Sequence, residues 1–519
     1  MSSATPRSRT SSSSLPAAPA QNVLAAARGG GITFTGMLFH YGVRLVIGIV
    51  VTRLLGSEKY GLYSLAQTAF EVVAGLALLG LTSALVRYIS SFSSQEDAPG
   101  VWGALQVGVG VPTILSVLFG AGLCLAAGPI AERMFHEPEL APLLRLAGLA
   151  VPFLTLGQML AAATRGFKSM RHTVIAQNIS QPLIKLVLVA ALAIAGLNAT
   201  KALSAYIVSV IVTTVMLLYF LNSLFSLKRP LRAARHNTRE MMKFALPLYV
   251  TDLINTFRSN IQTLLLGTMN TVTTVGIFSV ASQVNLIGRA FHQSIVTVSM
   301  PIVSELYGRG EREPLARFYQ TMSKWTFTLN LPVFLITLLF PGPILSIFGR
   351  EFVEGATALL ILAWGNLAVS STGICGVVLD MTGNTVFTMA NTIVLSVLTI
   401  GLNVLLIPRW GVVGAATATM VSVLLVNLLR IVEVYVLFRF LPYNRSFVKP
   451  VVAGLVAAAV SWAVLQVFHT KAHLIYTAMN ALLLYAVYVG MIWLLGLSSE
   501  DRAVLARLYA RLRTALAKN

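Results

Sequence analysis

Apolar runs of roughly 20 residues or more, each long enough to cross a bilayer, follow one another along almost the whole chain. They lie near 32–55, 61–89, 101–130, 141–164, 173–196, 201–226, 243–267, 274–303, 318–341, 356–380, 385–407, 411–439, 448–468 and 474–497. Short clusters of Arg, Lys, Ser, Gly and Pro separate them. Strands of a transmembrane barrel would be short and would alternate polar with apolar, whereas these runs are continuously apolar. The pattern predicts an all-α integral membrane protein with about 14 transmembrane helices.

Two phrases inside this pattern are nearly the same. Gly61-Leu62-Tyr63-Ser64-Leu65-Ala66 and Gly276-Ile277-Phe278-Ser279-Val280-Ala281 each open the second segment of a six-segment block, 215 residues apart. Asn178 and Asn391, each following a short polar loop, are 213 apart. An even number of segments per block gives both blocks one orientation, so the expectation is two parallel six-helix bundles around a central cavity, the arrangement of a transporter with its site between repeats. The last two segments have no counterpart and form an appended pair. The implied organisation is a disordered cytoplasmic tail over 1–30, bundles over 31–227 and 244–440, a basic linker over 228–243, two further helices within 441–498, and a basic amphipathic tail over 499–519.

Composition agrees. Of 519 residues, 56% are hydrophobic and 11% charged, which is too apolar for a soluble globule. The formal charge of +20 would suit a nucleic-acid binder, but the Lys and Arg residues concentrate in alternate connections. That is the positive-inside pattern, and it places both termini in the cytoplasm of a multi-pass protein of the cell (inner) membrane. The strongest cluster runs from Lys228 through Arg229, Arg232, Arg235 and Arg239 to Lys243, and is expected to face anionic lipid rather than nucleic acid. The two cysteines, Cys124 and Cys375, provide no disulfide framework, and no His/Cys spacing or Gly-Lys-Ser/Thr loop marks a metal or nucleotide site. Neither cofactor nor enzymatic chemistry is expected.

Two further phrases carry a resemblance. Arg53-Leu54-Leu55-Gly56-Ser57-Glu58-Lys59-Tyr60-Gly61-Leu62-Tyr63 is similar to the phrase that opens bacterial and archaeal polysaccharide flippases, of the multidrug/oligosaccharidyl-lipid/polysaccharide exporter superfamily. Leu402-Asn403-Val404-Leu405-Leu406-Ile407-Pro408-Arg409-Trp410-Gly411-Val412-Val413-Gly414-Ala415-Ala416 resembles that family's stretch across segments eleven and twelve. The resemblance implies alternating-access transfer of a polyprenyl-pyrophosphate-linked oligosaccharide from the inner to the outer leaflet, for cell-surface polysaccharide biosynthesis. A polymerase or glycosyltransferases would be its partners, and a monomer its working form. The residues themselves suggest plainer roles. Gly56 and Gly61 suit a tight external turn, Tyr60 and Tyr63 the headgroup layer, and Gly411 and Gly414 a second turn. The second junction, Gly267 to Gly276, is longer and has Val275 where the first has Tyr60, so the two external turns need not act alike.

The residues a bilayer should reject are the candidates for function. A central charge costs roughly 2.5–3.5 kcal/mol on translocon scales, so Arg44, Arg258, Arg289 and Lys185 must face water, a ligand or an opposite charge. Arg44 and Arg258, in the first helix of each half, are expected to clamp a pyrophosphate bidentately. Arg289 with His292 would extend that wall, and Lys185 would add a point charge. Glu71 and Asp252 are candidates for coupling to H⁺ or Na⁺, and Arg87, Glu305 and Asp380 for an inner gate. Arg430 and Glu433, three residues apart, read as a local pair, and His40 as a packed or cavity-facing side chain. The competing view is that the charges only lock helices together. Two other functions stay open: a cation-coupled multidrug antiporter, which would prefer an acidic cavity, and a membrane glycan polymerase or ligase, which would need a larger external loop than the one near 130–143.

Overall fold

A computed structural model describes residues 17–468 and 474–496, and among them every regular element is helical. Fourteen crossings follow in order. The helix Ala17–Ala77 breaks at Gly56 into α1 (17–55) and the start of α2 (57–77), which Leu81–Ser94 continues. Next come α3 (Ala98–Pro129), α4 (Leu140–Gly166), α5 (Met170–Ile194, interrupted by a π-helical turn over Val174–Ser180) and α6 (Ala199–Leu224). The second block holds α7 (Thr238–Met269), α8 (Val272–Gly308), α9 (Arg312–Leu339) and α10 (Ala356–Thr372 with Cys375–Met381). Thr385–Phe438 breaks at Gly411 into α11 (385–410) and α12 (412–438). The pair α13 (Val448–Phe468) and α14 (Leu474–Leu494) closes the chain. Length and apolarity alone pick out ten spans. Two of these hold two crossings each, and the charges within α7 and α8 keep those helices below that threshold.

The two breaks are glycines for a steric reason. Gly56 (φ 72°) and Gly411 (φ 52°) lie where a side chain would be strained, so the chain reverses without a loop. Gly61 is a correction. It lies inside α2 rather than in the turn, and its missing Cβ is what α8 needs: a Cβ there would sit 1.8 Å from the Val272 carbonyl oxygen. The second external turn, at Asn270 and Thr271, has no glycine; the Thr271 hydroxyl caps α8 by accepting from Thr274 N.

Contacts between the halves run through α2. At its outer end it crosses α8 backbone to backbone at Gly61 and Gly276. There, Glu351 from the 3₁₀ turn before α10 accepts hydrogen bonds from Ser57 N (2.7 Å) and Ser57 Oγ (2.6 Å). Beside them, Arg53 Nε donates to Ile347 O at 2.7 Å. Toward its other end α2 packs on α7. A Cβ on Gly80 would meet Ala245 O at 2.4 Å, Tyr249 Oη donates to Leu76 O at 2.9 Å, and Arg87 lies 4.3 Å above the Phe244 ring.

The basic linker is strapped to the first half rather than lying free. Trp102 Nε1 donates to Pro230 O (3.1 Å), Arg235 N to Pro99 O (3.0 Å), and Arg235 pairs with Asp97. The expectation that all its cations face lipid is therefore corrected for Arg235, while Lys228, Arg229, Arg232 and Arg239 are exposed. α13 and α14 hold each other through Ser461 and Asn480 (2.7 Å), and dock on α9 through Tyr488 Oη, which donates to Thr328 O at 3.0 Å. Helix α1 begins at Ala17, so the disorder expected for 1–30 does not extend past residue 16. Residues 1–16 and the expected amphipathic tail over 499–519 lie outside the described residues.

Candidate functional site

Beneath the outer crossing, α1, α2, α7 and α8 enclose a cavity of about 400 Å³. Its walls are built from polar residues at helical spacing in otherwise apolar helices. On α2 these are Ser64, Gln67, Thr68 and Glu71, a pattern of i, i+3, i+4 and i+7 that puts all four on one face. On α8 the equivalent positions 215 residues later are Ser279, Ser282, Gln283 and Leu286, and Asn285 and Arg289 continue the lining. α7 adds Ser259, Asn260, Gln262 and Thr263, and α12 adds Thr419. Gln283 joins the halves under the crossing: its Nε2 donates to Arg44 O at 3.0 Å and its Oε1 accepts from Tyr60 Oη at 3.3 Å.

Arg44 from the first half and Arg289 from the second both line this cavity. Two side pockets open from it. One, about 180 Å³, lies within the first half and is shared by Arg44, Lys185, Glu71, His40, Tyr63 and Tyr206. The Lys185 ammonium donates to Tyr63 Oη at 2.8 Å and stands 4.7 Å above the Tyr206 ring, while Glu71 accepts from Gln67 Nε2 at 2.9 Å. The other pocket, about 170 Å³, lies within the second half and holds Arg258 and Arg289 among Ser259, Gln262, Asn285, Asn366, Thr399 and Thr419.

The expected clamp is therefore rearranged. Arg44 faces Arg289 across the shared chamber, and Arg258 sits to one side, in the second-half pocket that Arg289 also lines. His292 is near one turn beyond Arg289, outside the three cavities, and its Nδ1 is buried without a hydrogen-bond partner. Asp252 is exposed and lies outside the three cavities. Of the gate candidates, Arg87 bridges the halves at Phe244. Glu305 instead pairs with Arg309 on its own helix (2.6 Å), and Asp380 accepts from Thr388 Oγ1 (2.6 Å), so both make local contacts. Glu433 is held by Asn391 Nδ2 at 2.6 Å, not by an ion pair to Arg430.

Two residues assigned to the headgroup layer belong to this site. Tyr60 and Tyr63 are 7% and 4% exposed and line the chambers. Tyr206 and the amides had been passed over; the i, i+3, i+4, i+7 spacing of polar residues along α2 was the signal for much of that set.

Electrostatics separates the site from a set of helix locks. Among the described residues the ion pairs are Arg235 with Asp97, Arg309 with Glu305 and Arg317 with Glu313, and none involves a cavity residue. Arg44, Lys185, Arg258 and Arg289 thus face one carboxylate, Glu71, with which none is in contact, a formal surplus of three positive charges. Unpaired cations in a low-dielectric wall are costly unless water or an anion meets them. The chamber is built to receive an anion.

Comparisons with known proteins agree. The family model described as "Polysaccharide biosynthesis protein" matches residues 26–307, and the MatE model matches 247–405. A probable low-salt glycan biosynthesis flippase of Haloferax volcanii is 24% identical over 390 residues, 75% of this chain and 79% of that protein. A lipid II flippase in an inward closed conformation superposes with a TM-score of 0.72 at 13% identity, covering 88% of this chain and 97% of that one. An inward-facing multidrug resistance transporter of the same superfamily gives 0.64 at 16%, covering 77% and 94%. These two show the fold, a multi-pass transporter fold.

Proposed function

The chain belongs to the polysaccharide biosynthesis protein family, and from that premise we propose that it is a flippase for polyprenyl-diphosphate-linked oligosaccharide. The observation that carries this reading is the pair of unpaired guanidiniums, Arg44 and Arg289, set on opposite halves of one chamber. A diphosphate esterified at both ends bears two negative charges, and guanidinium forks match its oxygens better than ammonium groups do. The name of the Haloferax relative supports the same class of cargo.

In this reading the diphosphate bridges the two arginines, with Lys185 in reach through the shared wall at Arg44. The amides and hydroxyls of α2, α7 and α8 meet the sugars, and the polyprenyl tail stays in lipid. Binding from both halves draws them together at the chamber. Release to the other leaflet requires the α2–α8 crossing and the Ser57–Glu351 clasp to part, with Arg87 and Phe244 meeting or separating at the other end of α2. The protein works in the inner membrane with both termini cytoplasmic and the exposed linker cations against anionic lipid. The bundles span 31–227 and 244–440, and a monomer suffices. Glu71 is the coupling candidate that lies in the chamber wall. A cation-exporting antiporter is the weaker reading, because its cargo would enter a chamber of its own charge sign.

The test is reconstitution into liposomes with a fluorescent polyprenyl-diphosphate oligosaccharide, comparing wild type with Arg44→Ala and Arg289→Ala. Each variant should lose at least about tenfold in transfer rate, as expected for a lost charge-assisted contact, while melting as wild type does. Unchanged transfer in both variants would overturn the proposal.

A further inference from the structure

We infer that the transported glycan carries an ionised carboxylate, an acidic sugar, and that Arg258 is the residue that reads it. The inference rests on the flippase reading and adds the chemical class of the cargo. The first argument is a charge count. The chambers hold three more positive than negative charges, and a diphosphate esterified at both ends supplies two. One cation is left over. A membrane site that kept it unmatched in the loaded state would sacrifice affinity.

The second argument says which cation it is. Arg44 and Arg289 share the main chamber, and Lys185 reaches the pocket it shares with Arg44. Arg258 alone of the four lies only in the second-half pocket. Its Nε is buried with no hydrogen-bond partner, and its Nη2 reaches Asn255 Oδ1 at a long 3.4 Å. The fork edge of the guanidinium is therefore free for a planar, two-oxygen acceptor, which is the shape of a carboxylate.

The third argument is the lining around it. Ser259, Gln262, Asn285, Asn366, Thr399 and Thr419 supply neutral donors and acceptors and no carboxylate. Gln262 is already oriented by its Nε2 bond to Thr419 Oγ1 at 2.9 Å. At about 170 Å³ the pocket is on the scale of a single sugar ring. A wall of amides and hydroxyls around one guanidinium fits a monosaccharide bearing a carboxylate, adjoining the chamber where the diphosphate is held.

The experiment uses the full-length protein in nanodiscs and three probes. These are farnesyl-diphosphate-linked glucosyl-glucuronate, the same glycolipid with the glucuronate methyl-esterified, and the acidic disaccharide on farnesol without diphosphate. Wild type should bind the free acid about 10–100-fold more tightly than the methyl ester, the range expected for one charge-assisted hydrogen-bonded contact. Arg258→Gln should bring that ratio close to one, and Arg258→Lys, which keeps the charge and loses the fork, should leave an intermediate ratio. Equal binding of acid and ester by wild type overturns the inference while leaving the diphosphate reading intact. If the probe without diphosphate binds as well as the others, the diphosphate reading itself fails. A ratio that persists in Arg258→Gln assigns the acid to another residue and overturns the role given to Arg258. If Arg258→Gln does not fold, the wild-type ratio and Arg258→Lys still decide.

Discussion

Gly61 and Gly276 pack against each other as mirror-like partners in the duplication. A Cβ on Gly61 would lie 1.8 Å from Val272 O, and one on Gly276 would lie 2.1 Å from Ser57 O. Val272 and Ser57 are separated by the same 215 residues as the two glycines. The contact is thus nearly two-fold symmetric, and it seals the outer end of the site. Substituting Ala at either glycine forces the helices apart, and overpacking of this kind costs about 1–3 kcal/mol. Gly61→Ala and Gly276→Ala should each raise labelling of a cysteine introduced at Ser64 by an impermeant outside reagent, and should slow transport. Labelling equal to that of the otherwise unchanged protein would show that the crossing is not the seal.

Glu351 supports the seal from the second half. Its carboxylate accepts from both the amide and the hydroxyl of Ser57, at the first residue of α2 after the break, where a negative group also complements the helix dipole. Its effect resembles an N-cap supplied from another part of the chain, with an expected value of about 0.5–2 kcal/mol. Glu351→Gln should speed amide exchange at residues 57–60 and shift the outer end toward opening. Exchange at wild-type rates would remove the clasp from the mechanism.

Lys185 allows a binding role to be told from a structural one. Its ammonium rests on Tyr63 and Tyr206 with no carboxylate within ion-pair distance. Replacing an unpaired buried cation with an apolar chain of similar length removes a desolvation cost. Lys185→Met should therefore keep or raise the melting temperature while transport falls about tenfold. A melting temperature lowered by several degrees would mean that the lysine holds the helices together.

At the linker, Asp97 has two tasks and Arg235 one. Asp97 accepts from Gly100 N at 3.0 Å, capping α3, and pairs with Arg235, whose side chain is 60% exposed. Asp97→Ala should cost about 1–2 kcal/mol, the value of a lost cap. Arg235→Ala should cost less than about 1 kcal/mol and lose its effect in high salt. Chemical denaturation of both variants at two salt concentrations checks this, and equal costs would contradict it.

The apolar runs made the fourteen crossings legible, and the 215-residue offset made the duplication legible, because a bilayer leaves few other ways to satisfy a backbone. Arg44, Lys185, Arg289 and Glu71 stood out for the same reason: their charge is expensive there. What the linear pattern hid was direction. Gly61 looked like a turn residue because it follows Gly56 so closely, yet its job is set by Val272, far away in sequence. Tyr60 and Tyr63 suited an interface by type, and only the α2–α8 crossing turns them inward. Arg258 was grouped with Arg44 by position in its helix, but the rotation of α7 gives it a separate pocket. Glu305 and Asp380 found partners within a turn or an adjacent helix, which no count of charges reveals.

The unpaired guanidiniums have a practical consequence for the empty carrier. Positive walls without acidic neighbours draw small anions from solution, so chloride, phosphate or sulfate will stand in as placeholders until cargo displaces them. Affinities measured in different buffers will then differ by how tightly each placeholder holds, and only titrations extrapolated to zero competing anion will compare one glycolipid fairly with another.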